Sequence, residues 1–115
     1  EEKALTQVDV VHEMAKAAGK TAQLVRVPRE IIARAGGNAF VPPLYFGHYM
    51  DLPPITEVVG RVKRVLNVPI TPFSEGLKET WKWYLKHGAK NKPDFAFEDG
   101  LIQAARASRS THGLY

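Results

Sequence analysis

The stretch PITPFSEGLKETWKWYL, residues 69–85, reads as an amphipathic helix that carries its own start signal. Thr71 has a side chain suited to an N-cap, and Pro72 suits the first turn, where a backbone N–H would be unpaired in any case. Phe73, Leu77, Thr80, Trp81 and Tyr84 recur at steps of three and four, so they share one face. Lys78, Lys82 and Lys86 form a second stripe, partly balanced by Glu75 and Glu79 at helix-neighbour distances. Gly88 is the expected stop. Read alone, the segment is a surface helix that buries one side and has no chemistry of its own.

Outward from this helix the chain divides into short punctuated elements, with no internal repeat or low-complexity tract. Upstream, Thr56 is placed to cap a helix in which Val58, Val59, Val62, Val65 and Leu66 lie opposite Arg61, Lys63 and Arg64, and this apolar face is expected to be core. Near the start, Thr6 followed by Asp9 approximates a capping box. Val10, Val11, Met14 and Ala18 keep helical spacing up to Gly19, which predicts a helix over 6–18. The Leu- and Val-rich run Ala22 to Val27 reads as a short strand that stops at Pro28. A second helix is expected over 28–35, with Ile31 and Ile32 as its apolar side and Gly36-Gly37 as its break. Downstream, Phe95 and Phe97 are expected to anchor a last helix over 98–107, followed by a frayed tail from Ser108 to Tyr115.

Residues 38–54 are irregular, with four prolines and the aromatics Phe40, Tyr45, Phe46 and Tyr49. Long irregular segments of compact domains are more often functional than plain connectors, because ligand contacts concentrate on scaffold-held loops. The alternative is that these aromatics only plug a core beneath a Pro-rich loop.

Composition sets the outer limits. A chain of 115 residues can bury one modest core, so one domain is the expected ceiling, and 44% hydrophobic with 24% charged residues is ordinary for a water-soluble protein. Sixteen basic and twelve acidic residues give a net charge of +4, which permits an anionic partner without demanding one. The absence of cysteine excludes a disulfide scaffold and a thiolate nucleophile, and it fits a reducing cytoplasm. No secretory signal or membrane span is visible. The chain opens at Glu1 without an initiator Met, so a fragment, a processed product or a trimmed chain is expected.

The sequence lacks most motifs that carry chemistry. A phosphate-cradling Gly-x-Gly-x-x-Gly turn is missing, since the only adjacent pair among the nine glycines is Gly36-Gly37. His12-Glu13 opens like a zinc-protease motif, but Lys16 stands where the second His is needed, so no metal site is expected. His87 falls in a last helical turn, where a cation suits the dipole. His112 and Ser110 lie in the expected tail, without the rigid support that nucleophile activation requires.

Taken together, Leu66, Pro69, Thr71, Phe73, Gly76, Leu77, Thr80, Trp83 and Tyr84 resemble the closing motif of the extended short-chain dehydrogenase/reductases, the NAD-dependent epimerase/dehydratase family. That family commonly closes with Leu-Gly-aromatic-x-Pro, then Thr-x-Phe/Leu-x-x-Gly-Leu-x-x-Thr and an aromatic pair. Asn67 stands where it usually has Gly. The resemblance runs from about Thr6 to Leu85. It implies an α+β, mostly helical C-terminal lobe over 1–107, with short strands and a flexible tail over 108–115, normally packed on a Rossmann domain that this chain lacks. It further implies that NAD is bound by that upstream domain, together with a catalytic Tyr followed four residues later by Lys. None of the four tyrosines here has a Lys at that distance, so no catalytic residue is expected in this chain.

The family's Arg-x-Gly-Asp segment, which contacts a nucleotide sugar, is matched most nearly by Tyr45-Phe46-Gly47-His48. Only Gly47 is retained and both polar contacts are replaced. The family's Asp-x-Ser-Lys start of the next helix is likewise replaced, by Thr56-Glu57-Val58. Tyr45, Gly47, His48 and Tyr49 are the substrate-binding candidates, with stacking and hydrogen bonding as the available chemistry. The function implied is the substrate-binding portion of a cytoplasmic NAD-dependent sugar-nucleotide epimerase or dehydratase, an isomerase or oxidoreductase lobe inactive alone. Dimers are implied too, although the family's usual dimer helices belong to the missing half. Two other classes stay open. One is a basic RNA-binding module built on Arg61, Lys63, Arg64, Lys78, Lys82 and Lys86, against which the mild charge and the alternation of lysine with glutamate weigh. The other is a non-catalytic interaction domain.

Overall fold

Local signals produce five helices among the described residues, and two of them pair with two others. The computed structural model describes residues 3–44, 53 and 55–112. The helices are α1 (Gln7–Ala17), α2 (Arg29–Arg34), α3 (Gly60–Leu66), α4 (Phe73–His87) and α5 (Ala96–His112). They fall into two compact units, one built from Glu1–Gln23 with Ile55–Asn91, the other from Leu24–Pro54 with Lys92–Tyr115.

In the first unit α1 begins with the capping box that its sequence announces. Thr6 is extended, its hydroxyl accepts the Asp9 N–H at 3.1 Å, and the Asp9 carboxylate accepts the Thr6 N–H at 2.9 Å. Two donors that the helix start leaves unpaired are thereby satisfied. Across from α1, α4 presents the predicted face, so that Leu77, Thr80, Trp81 and Tyr84 line one groove with Met14 and Ala17. Trp81 and Tyr84 stack, with ring centroids 5.6 Å apart. Its start differs from expectation by one residue. Pro72, not Thr71, holds the N-cap position, no side chain caps the helix, and the Pro72 carbonyl accepts the N–H groups of Glu75 and Gly76. The extended ψ of 140° at Pro72 keeps it outside the helix.

The predicted third helix is corrected in extent and in burial. It starts at Gly60 rather than near Thr56, with Val59 at the cap and no side-chain bond there. Its valine face is not core: Val58 is 92% exposed and Val65 69%, and α3 packs against no other helix among the described residues. An apolar periodicity states that a face is fit for burial, and burial itself requires a partner surface. The helix ends on Asn67 in the left-handed region (φ 46°), the conformation that explains why Gly or Asn belongs at this position.

The second unit holds the core. Ile31, Leu101 and Ala105 are its buried residues, with Val25, Val27, Ile32, Leu44 and Phe97 packed against them. Here α2 packs on α5, and Pro28 precedes the first helical residue as the cap. The expected strand over 22–27 is absent, as is any other strand among the described residues. A strand needs a neighbour to take its N–H and C=O groups. This run instead lays Val25 and Val27 on α2 and α5, and the Arg26 carbonyl accepts from the Arg109 guanidinium at 3.2 Å. Among the described residues the fold is therefore mostly helical, without the predicted short strands. The last helix is longer than expected, from Ala96 through His112, so it includes residues 108–112. Asp94 accepts the Ala96 N–H at its start. Phe97 packs on the core as anticipated, whereas Phe95 stays 57% exposed.

Candidate functional site

The four substrate-binding candidates, Tyr45, Gly47, His48 and Tyr49, lie outside the described residues. Their approach is described. After α2 the chain turns at Gly36, whose φ of +77° is a left-handed conformation that side-chain-bearing residues adopt only with strain. The Asn38 side chain then accepts the Phe40 N–H at 2.8 Å, a local turn, and Leu44 packs on the Ile31–Leu101–Ala105 core. The candidate loop is thus entered from a residue that the second unit's core holds in place.

Cofactor binding can be tested on the same segment. A dinucleotide's pyrophosphate rests on a Gly-rich turn that opens directly into a helix N-terminus. Gly36 and Gly37 follow a helix and lead into the turns of residues 39–44, so this pair does not form such a turn. Among the described residues no group of three or more His, Asp or Glu side chains gathers as a metal site would require. His12 and Glu13 border a polar hollow with Asp9 and Lys16. The Asp9 carboxyl is held below its ordinary value of 3.8, first by the Thr6 hydroxyl and then by the Thr6 backbone N–H, so its charge belongs to the cap of α1.

Two further surfaces belong to the first unit. Between α1 and α4 runs an apolar groove of about 340 Å³, floored by Leu77, Trp81 and Tyr84 and walled by Met14 and Ala17. At the far end of α4 the surface turns basic and aromatic. Trp83, 58% exposed, stacks on His87 with centroids 5.0 Å apart, and His87 Nδ1 lies 3.1 Å from the Trp83 carbonyl, which accepts its N–H. Lys82, Lys86 and Lys90, near this pair in sequence, are all exposed. The stack escaped the sequence reading, although its four-residue spacing was the available signal.

No helix among the described residues is long and apolar enough to cross a membrane. No family model, curated protein or solved structure matches the chain.

Proposed function

We propose that this chain is the C-terminal, substrate-binding portion of a cytoplasmic NAD-dependent epimerase/dehydratase-like oxidoreductase, acting on a nucleotide sugar or a related small molecule and inactive by itself. One observation carries the reading: α3 buries no residue and packs against no other helix among the described residues, yet it carries an apolar face of the kind that helices use for packing. Val58, Val62, Val65 and Leu66 on and before α3 are all more than half exposed. Contiguous exposed apolar surface marks a place where another body sits. An upstream Rossmann domain is a cover of the right kind, and the closing-motif residues of α3 and α4 are those that carry the resemblance.

In this reading the absent domain binds NAD and supplies the hydride chemistry and the Tyr/Lys pair. The residues of this chain would form the substrate's far wall. Tyr45 and Tyr49 offer ring faces and hydroxyls, and His48 a donor or acceptor, in place of the charged contacts that nucleotide-sugar enzymes of the family use.

The test is the natural polypeptide in its source cells, detected with an antibody to this chain. A species longer by about 100–200 residues that turns over NAD with a nucleotide sugar supports the reading. A species of this chain's own size, or turnover by the isolated 115 residues, overturns it. In the longer protein, changing Tyr45 and Tyr49 to Phe and His48 to Ala raises the substrate KM; an unchanged KM reduces the loop to packing and favours an interaction domain.

A further inference from the structure

All of the chain's net charge can be assigned to one short segment. Between Glu79 and Asp94 there is no acidic residue and there are four lysines, Lys82, Lys86, Lys90 and Lys92. Of the sixteen basic residues these four leave twelve, which the twelve acidic residues elsewhere cancel. The alternation of lysine with glutamate along α4 therefore stops at Glu79, and the helix's C-terminal half is purely basic. Three of the lysines, with the turn after Gly88, belong to the first unit.

The same half-turns hold an aromatic ledge. The Trp83 ring lies over His87 with an interplanar angle of 26°, and the bond from His87 Nδ1 to the Trp83 carbonyl ties that pair to the helix end. An exposed indole braced by a second ring, in a field of lysines, is complementary to a ligand that has both flat π-faces and a regular negative charge. We infer that the C-terminal half of α4 and the turn after it, carrying Lys82, Trp83, Lys86, His87 and Lys90, form a docking surface for single-stranded nucleic acid. Unpaired bases stack on aromatic side chains regardless of sequence, and lysines neutralise the phosphates between them. A duplex fits less well because its base faces are already stacked.

An anionic membrane is the competing partner, and the helix geometry disfavours it. A helix that lies in a bilayer surface needs a broad apolar face opposite its lysines. On α4 that face is Leu77, Trp81 and Tyr84, and it is turned to α1. The two large apolar side chains left near the lysines, Trp83 and Leu85, are separated by about 160° around the helix, so they do not form one face. The proposal is independent of the enzyme reading, since it requires neither NAD nor the 45–49 loop.

The experiment is fluorescence anisotropy of the 115-residue chain with labelled oligo(dT) and oligo(U) of about 12 nucleotides, titrated between about 50 and 200 mM salt. Saturable binding that weakens with salt is expected. The combined substitution K82Q/K86Q/K90Q should lower the slope of log K against log salt by about 2, at roughly 0.7 per phosphate contact. Trp83→Ala should weaken binding about tenfold and Trp83→Phe should restore most of it, as stacking on a ring predicts. These side chains are exposed, so the variants retain the wild-type helical circular dichroism. The inference is overturned by no binding at low salt up to about 100 µM protein, by a Trp83→Ala variant that binds as well as wild type, by equal affinity for a blunt duplex, or by binding to phosphatidylserine vesicles without binding to either oligonucleotide.

Discussion

At the scale of single residues, three positions show how local chemistry dictates conformation. Thr6 and Asp9 exchange hydrogen bonds at the start of α1. Thr6→Ala should cost the helix about 1 kcal/mol, the usual value of an N-cap, read as faster amide exchange over residues 7–10. Because the Asp9 carboxyl is held below its ordinary 3.8, its contribution is fully present above about pH 4 and is lost as the pH falls through its lowered folded value. The difference in helicity between wild type and Thr6→Ala should therefore shrink on acidification, and a difference unchanged at pH 2 would contradict the assignment. Asn67, left-handed at the end of α3, should accept Gly with little change, whereas Asn67→Val should cost about 1–2 kcal/mol in a thermal melt. Gly88 is constrained differently. Its φ of −66° suits any residue, but a Cβ there would come within 2.5 Å of the Tyr84 carbonyl oxygen and within 2.6 Å of its ring. Gly88→Ala should open the last turn of α4 and break the 2.7 Å bond from the Gly88 N–H to Tyr84, an effect visible in the amide shifts of residues 84–88.

At the scale of elements, position in the chain and success of packing separate. The α4 periodicity was legible and the structure uses it, because α1 supplies a matching face. The α3 periodicity was equally legible and remains exposed, because no helix among the described residues covers it. The Ala22–Val27 run has the composition of a strand and becomes a non-helical segment against α2 and α5, since strand formation depends on a neighbour that sequence composition does not name. The α2–α5 pair is the place where burial is real. Leu101 is 6% exposed, so Leu101→Ala should cost about 2–5 kcal/mol and abolish slow amide exchange in α5. The same truncation at Val65 should change stability by no more than about 0.5 kcal/mol, a contrast that a core role for α3 would reverse.

At the scale of the whole molecule, the balance between apolar surface made and apolar surface buried is unusual. Among the described residues α1, α3 and α4 hold no fully buried residue, and α3 also lacks a helix partner. Conformational entropy of about 1–2 kcal/mol per ordered residue has to be offset by burial, so α3 in the isolated chain should show almost no amide protection and should gain it in the longer protein that we propose. Protection of α3 already present in the isolated chain would remove the need for a cover. What the sequence by itself determined is everything set within a few residues: the Thr6–Asp9 cap, the stops near Gly19, Gly36 and Gly88, the left-handed turn at Asn67, the apolar face of α4, and the clustering of net charge after Glu79. These depend on backbone sterics and on neighbours one helical turn apart. The tertiary structure alone decided which apolar faces are covered, that Ile31, Leu101 and Ala105 make the core, and that Val58, Val62 and Val65 do not. Burial is a relation between surfaces distant in sequence, and no periodicity within one segment contains the identity of its partner.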